Sequence, residues 1–584
     1  MANLYAIHNH CKRLFNSSSN VLVDGVSSCE DIHHPLLQAI TEDEVSSAVQ
    51  SQKSRAPGIC GFSPFDLKAI SPSLSKPLSY IFSYFLENAT FYTDWLKSSV
   101  FFLFKGKGTR DNPSNYRSIC IQDPFAKLFS SILAKRLSTF AEQNNLLPLY
   151  QFGFRSKRST TAAAAMLHEV IHTRLNNRKR TYVAYVDFKQ AFDRVSRPLL
   201  FQKLALLGIP TQFCRMLDFI FRHTIFFIKS GNFHTDSFSS NVGVPQGDPI
   251  SPILFNLFIS DLPSSLHHNG ILFHGINVTY IQYADDLCII GDTAEDLQRA
   301  LNDLKTYCMK NIIEINVAKT KVQVFHRGRL PPCSFHLEGQ EIDLVNEFCY
   351  LGFIFSVQLS FSSHTMFITS KARSKCGQLF AQLPLQDLPL HLVLKLFDTF
   401  ILPVFSYGLA FWIDNSSGSS LQAVNATFTK FLKRYLQIPL HSSNSQVHFI
   451  TSTTPLTSKL KQIAPNYIHS LSFPEAFHGH RLSFLPTTTD NPSTSAKIIF
   501  HNLITNIHPS FWLSKIFHSL PTNQKARRRL CRELFDADHY KICENKTFHP
   551  HPNTTCICIN CGENAHLYHD RYCPFVNFDN QRRL

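Results

Sequence analysis

Two groups of carboxylates and one group of thiols are the residues most able to do chemistry in this chain. In VDFKQAFD, Asp187 closes an apolar, strand-forming run and Asp193 follows six residues later. In YADD, Asp285 and Asp286 are adjacent, again directly after strand-forming residues. Asp is common in turns and caps, so an isolated Asp-Asp pair implies little. Here each cluster follows an apolar strand, a position where sheet enzymes hold reacting groups. Three carboxylates brought together repel one another unless a multivalent cation compensates them. Hard oxygen ligands suit Mg²⁺, with Mn²⁺ as a substitute. Two such ions about 4 Å apart can activate a hydroxyl and stabilise a departing pyrophosphate. Asp187 and Asp285 are the stronger ligand candidates and Asp286 a close neighbour, whereas Asp193 better suits a helix start or the surface.

The thiols lie at the other end. CICINCGENAHLYHDRYCP places Cys558, Cys561, His569 and Cys573 at the spacing of a four-ligand Zn²⁺ site, with Gly562 easing the first turn. The bland alternative is a cysteine-rich tail without metal. The chain's 16 cysteines are too sparse for a disulfide scaffold.

The elements that must position these groups follow from pattern. The chain has 584 residues, 44% of them hydrophobic, which excludes a largely disordered protein. A formal charge of +15 suits a polyanionic partner, though charge alone cannot separate DNA, RNA and a membrane surface. Thr41 and Glu44 form a capping box that starts a helix. SSVFFLFKGKG reads as a strand ending in a basic turn, and TAAAAMLHEVIHTRL as a packed helix. From 181 to 352, TYVAYVD and HTIFFIK are strands, AFDRVSRPLLFQKLALLG and SPILFNLFISDLPSSL helices, and VTYIQYADDLCII a hairpin with an acidic tip. This alternation predicts an α+β layer with helices against a sheet. Helices dominate after about 365, with a break expected at Pro403. The fifteen-residue run at 399–413 is too short for a bilayer crossing, and no membrane partner is expected.

At this point the sequence resembles the reverse transcriptases of non-LTR, LINE-type retrotransposons across most of residues 40–440. The resemblance rests on an ordered series: SRAPGICGF, LFKGKG, NPSNYRSICIQDPFAKLFSSILAKRL, QFGFRSKRSTT, YVDFKQAFDRV, GVPQGDPISPILFNLFISDL, YIQYADDLCII, INVAKTKVQVF and YLG. The C-x2-C…H…C cluster followed by Pro574 is similar to the extreme C-terminus of many such elements.

The resemblance implies a right-hand polymerase fold with a helical connector and a small zinc-binding tail. Its divisions would be a lead-in at 1–50, fingers at 51–180, palm at 181–355, thumb at 356–440, connector at 441–534 and tail at 535–584. It implies that Asp187, Asp285 and Asp286 hold Mg²⁺ with the carbonyl of Phe188. Gln246 and Gly247 would flank the incoming nucleotide, Lys105 and Arg117 the triphosphate, and Lys319 would protonate pyrophosphate. Tyr283 and Ala284 would sit near the primer end, Phe192 beneath the sugar, and Tyr350, Leu351 and Gly352 in a primer-grip turn. The partners implied are an RNA template, a DNA primer, their hybrid duplex and dNTPs.

The chain departs from the family at Ile59, Cys60, Ser118 and Ile312, where Pro, Asp, Pro and Gly are usual. A second reading is therefore a catalytically impaired, retroelement-derived RNA-binding protein. An upstream endonuclease and an RNase H unit are not expected. The first twenty residues lack the continuous apolar core of a secretory signal, so nucleus and cytoplasm both remain open.

Overall fold

The computed structural model describes residues 33–469 apart from 53–59, 107, 231–232 and 274, together with Asn9 and four short strands between 540 and 565. The expected zinc ligands Cys558, Cys561, His569 and Cys573 lie outside the described residues. The chain divides into two compact units, meeting in sequence between Asn346 and Glu347.

The first unit is built on two sheets. One is made of β1 (Lys97–Phe104), β2 (Tyr116–Gln122), β4 (Ile225–Ser230) and the short β5 (Phe233–His234), in the order β2-β1-β4-β5. Its buried face holds Val100, Cys120, Phe226, Ile228 and Phe238. The other sheet is antiparallel throughout. A small hairpin, β6 (Ile271–Phe273) and β7 (Ile276–Val278), precedes two of its strands in the chain. They are β8 (Tyr280–Tyr283) and β9 (Asp286–Gly291), which join β3 (Thr181–Val186) and β10 (Lys321–Phe325) in the order β10-β3-β9-β8. Every residue of β3 is buried, as expected of a central strand read from an unbroken apolar run.

Helices cover these sheets. The capping box of α1 (Glu42–Ser51) forms as the sequence predicts: Thr41 Oγ1 accepts the Glu44 N–H at 3.2 Å, and the Glu44 carboxylate accepts the Thr41 N–H at 2.9 Å. Then come α2 (Pro64–Asn88), α3 (Pro124–Gln143) and α4 (Thr160–Asn176), whose four alanines are all buried. Alanine combines high helix propensity with close approach to a neighbour.

One expectation fails. AFDRVSRPLLFQKLALLG is not a single helix: residues 191–194 form a turn, and α5 (Arg197–Leu206) starts only at Arg197. Pro198 suits the first turn of a helix but cannot continue one. The buried guanidinium of Arg197 donates to the carbonyls of Ser240, Val242 and Gly243 at 2.6, 3.2 and 2.9 Å. The helix starts where that arginine holds the 240–243 loop. Further helices are α6 (Thr211–His223), the buried α7 (Ser251–Phe258) and α8 (Ala294–Asn311). A last short hairpin, β11 (His336–Leu337) and β12 (Gln340–Glu341), closes the unit.

The second unit opens with the hairpin β13 (Glu347–Tyr350) and β14 (Phe353–Ser356) and continues in helices only, among its described residues up to 469. The expected break at Pro403 is present: one helix ends at Phe400 and the next, Leu402–Ser406, carries the proline in its first turn. Phe353, Phe361 and Phe411 pack ring against ring at 5.0–5.2 Å to anchor the hairpin on this helical layer. The architecture is mixed α/β with a helical C-terminal region. No described helix is long and apolar enough to cross a membrane.

Candidate active site

The sheet of the first unit decides where the carboxylates meet. Val186 pairs with Leu287, so the next residue along β3, Asp187, comes level with Asp286 on β9. Tyr283 pairs with Asp286 across a two-residue turn, leaving Ala284 and Asp285 at its tip. A strand end and a hairpin tip thus place three carboxylates from distant sequence positions at one end of the sheet. Asp187 is half-buried; Asp285 and Asp286 keep exposed surface, although surrounding atoms crowd both carboxyl groups.

Their electrostatics reflect that crowding. The surrounding protein strips hydration from Asp285 and, with the Asp187 charge, pushes its carboxyl above the usual range; Arg117 works the other way. Asp286 is pushed up to about 6 by the same burial and by both neighbouring carboxylates. Among the described residues, no three His, Cys, Asp or Glu side chains converge closely enough to hold a metal ion.

Cations face the carboxylates. Lys319 Nζ lies 3.5 Å from Asp187 Oδ2, in the tight 316–320 turn whose Asn316 N–H donates to the Asp187 carbonyl at 2.7 Å. Lys105 follows β1, and Arg117 lies on β2 opposite Leu103. Partial burial holds the Lys105 ammonium below its usual range, reinforced by repulsion from Lys319 and Arg117 and opposed by Asp193 and Asp187. Phe188 is buried, and its neighbours Asp187 and Lys189 both bond to the 314–316 backbone.

The VPQGD segment forms another wall. Cys120 N–H donates to the Gln246 carbonyl at 2.7 Å. Gly247 has φ +113, and a Cβ there would meet the Cys120 carbonyl oxygen at 2.4 Å, so only glycine allows this approach. Asp248 is buried and accepts from Gln122 Nε2 at 2.7 Å and from the Ser130 hydroxyl. Phe192 stacks on Phe255 with centroids 4.6 Å apart and meets Phe154 edge-on at 6.3 Å. Tyr283 is half-buried, with its ring 6.4 Å from that of Phe154, and Ala284 is buried.

Asp193 is not a surface or helix-start residue. It is 5% exposed, its Oδ2 accepts from Gln246 Nε2 at 3.2 Å, and burial pushes its carboxyl up to about 7 against Lys105 and Arg194. Its backbone also packs against Gly243, and the Phe192 and Val195 carbonyls beside it accept from the Val244 and Gly243 N–H groups instead of continuing a helix. Sequence reasoning also passed over Phe154, which is 55% exposed at φ +57 beside Phe192 and Tyr283. An exposed phenylalanine offers no local sign of a strained backbone. Tyr350, Leu351 and Gly352 form the turn of the β13–β14 hairpin in the second unit.

Residues 105–355 match the family described as reverse transcriptase (RNA-dependent DNA polymerase). This segment is similar to RNA-directed DNA polymerases of mobile elements. A probable RNA-directed DNA polymerase from transposon BS of Drosophila melanogaster is 26% identical, over 64% of this chain and 42% of that protein. The RNA-directed DNA polymerase from mobile element jockey of the same fly is 24% identical, over 79% and 51%. The Pol polyprotein of type-1 retrotransposable element R2 from Popillia japonica is 26% identical, over 69% and 56%. The chain spans about half the length of these curated relatives.

Proposed function

We propose that this protein is an RNA-directed DNA polymerase of a retrotransposon, extending a primer 3′-hydroxyl with dNTPs on an RNA template. The observation that carries the reading is the placing of Asp187, Asp285 and Asp286 at one end of the sheet, after β3 and at the tip of the β8–β9 hairpin, with Lys105, Arg117 and Lys319 nearby. On this reading residues 51–180 are fingers, 181–355 palm and 356–440 thumb, with a connector at 441–534 and a tail at 535–584.

The donor chemistry suits Mg²⁺: three oxygen-only side chains, two of them with proton affinity raised by burial and by neighbouring carboxylate charge. Asp187, Asp285 and Asp286, with the Phe188 carbonyl, would hold two ions. When bound, these lower the pKa of the attacking hydroxyl and stabilise charge on the leaving pyrophosphate. Lys105 and Arg117 bind the triphosphate as cations, Arg117 through a planar fork suited to phosphate oxygens. The primer 3′-hydroxyl gives its proton to water as its oxygen bonds to the α-phosphorus and the bond to pyrophosphate breaks; Lys319 gives that leaving group a proton and regains one from water. Phe192 lies under the sugar, and Gln246 with Gly247 shapes the floor beneath the base pair, near Tyr283 and Ala284. Basic residues hold the RNA–DNA duplex through its backbone, making affinity salt-dependent.

The test is primer extension on an RNA template with Mg²⁺. Asp285→Asn should abolish extension while leaving duplex binding intact. Incorporation within a few-fold of the parent would sink the assignment. A catalytically impaired RNA-binding relative is favoured by one observation, the isoleucine at the left-handed position 312, and the same assay on the unaltered chain separates the two readings. For the tail we propose one Zn²⁺ on Cys558, Cys561, His569 and Cys573. Elemental analysis of the reduced protein should find one equivalent, lost when Cys561 and Cys573 are replaced by Ser.

A further inference from the structure

The tip of the β8–β9 hairpin has a backbone that its own sequence does not favour. Ala284, the residue before Asp285, has φ +57, a region that a Cβ disfavours and that L-residues rarely enter without outside support. Ala284 is buried as well, so its N–H and C=O both need partners within the protein.

Two buried glutamine side chains supply them. Gln151, 1% exposed, accepts the Ala284 N–H on Oε1 at 2.9 Å and the Gly153 N–H on the same oxygen at 2.8 Å. Gln282, wholly buried, donates from Nε2 to the Ala284 carbonyl at 3.0 Å. A third buried amide, Asn256 on α7, donates from Nδ2 to the Gly153 carbonyl at 2.8 Å. The main chain runs alongside: Phe152 N–H donates to the Gln282 carbonyl at 2.7 Å, and Gln282 N–H to the Tyr150 carbonyl at 2.9 Å. Gly153 allows the close approach, since a Cβ there would lie 2.4 Å from the Ala284 nitrogen.

We propose that Gln151, seconded by Gln282 and by Asn256 acting through Gly153, is a positioning residue that clamps the Ala284 peptide and so sets the direction of the Asp285 carboxylate. The physical reason is economy of freedom. A two-residue turn has few backbone torsions, and with both polar groups of Ala284 engaged the next residue leaves the turn in one direction. The clamp is built from buried side chains and acts on the backbone of the turn. The segment 150–153 thereby acquires a role as the rear support of the catalytic hairpin. This rests on the polymerase reading only for its consequence in rate; the clamp itself is a statement about the turn.

The test uses the full chain and three substitutions. Gln151→Leu keeps bulk and removes the acceptor, Gln151→Glu keeps an acceptor oxygen, and Gly153→Ala pushes on the Ala284 nitrogen from a second direction. Hydrogen exchange at the Ala284 amide, located by fragmentation mass spectrometry, is read beside single-nucleotide incorporation. For Gln151→Leu and Gly153→Ala, exchange at Ala284 should rise about tenfold or more, while Ala184 and Ile289 in the sheet stay protected. In the same two variants kcat should fall about tenfold or more, with KM for dNTP within about twofold and the half-saturating Mg²⁺ concentration raised. Gln151→Glu should return both readouts to within a few-fold of the parent. Unchanged Ala284 exchange in a folded Gln151→Leu or Gly153→Ala variant overturns the clamp, and so does faster exchange with kcat unaltered. Should Gln151→Leu not fold, Gly153→Ala decides by the same criteria. If the unaltered protein incorporates no nucleotide, the polymerase reading falls and the exchange data alone judge the clamp.

Discussion

Lys319 and Asp187 form an ion pair across the carboxylate cluster, with Nζ 3.5 Å from Oδ2 and both side chains substantially open to solvent. An exposed pair of this kind contributes at most about 1 kcal/mol to stability, because water and salt screen it. On the proposed polymerase reading its importance lies in chemistry. Lys319→Ala should leave the melting temperature almost unchanged while kcat for incorporation falls roughly a hundredfold, the range of a lost general acid. Thermal melts and pre-steady-state incorporation on the same preparation check this. A large stability loss would recast Lys319 as a structural residue.

Asp193 leads to a pH prediction. Its carboxyl is held up at about 7 by burial, so the folded chain keeps the proton well after the unfolded chain, with an ordinary carboxyl, has released it. Stability from this group is therefore fully present at acid pH and is lost as pH rises from about 4 to about 7. The loss is at most about 4 kcal/mol, an upper bound because water entry or local relaxation on ionisation reduces it. Asp193→Asn removes the titration and retains an acceptor for Gln246. The variant should gain stability over the parent at pH 8 and lose that gain near pH 4. Denaturant melts across this range that run parallel for both proteins would refute the assignment.

Phe192 tests sugar selection. Its ring is held by Phe255 at 4.6 Å and by Phe154 at its edge; on the proposed reading, a ring so fixed would not swing away from a 2′-hydroxyl. Forcing an extra atom against a fixed ring costs about 1–3 kcal/mol. Phe192→Ala should relax discrimination against ribonucleotides by roughly one to two powers of ten. The ratio of kcat/KM for matched dNTP and rNTP measures it, and an unchanged ratio in a folded variant would return Phe192 to the core.

Ile312 stands at the left-handed C-cap of α8, with φ +57 and 45% exposure. A β-branched side chain is costly there and buries little in return. Ile312→Gly should stabilise the first unit by about 1 kcal/mol, read as a higher melting temperature. A lower melting temperature would mean that Ile312 packing outweighs the backbone strain.

Much of the frame was legible in the residues. The apolar run of β3, the hairpin ending in Asp285 and Asp286, the capping box at Thr41 and the break at Pro403 depend on neighbours a few positions apart. Propensity, alternation and side-chain caps act at that range, so a linear reading recovers them. The three carboxylates could be proposed as partners because each ends a recognisable strand or turn.

Tertiary structure decided how those pieces bear on one another. The register of β3 against β9 brings Asp187 level with Asp286, and no local pattern specifies that pairing. Asp193 reads as an ordinary turn residue until the PQG segment, over fifty positions away, closes over it. Gln151 and Ala284 are 133 positions apart, yet a single hydrogen bond links them. A polar side chain in the sequence looks the same whether water or a backbone amide will satisfy it. Only the packed chain excludes the water, and only then does the choice of partner carry energy.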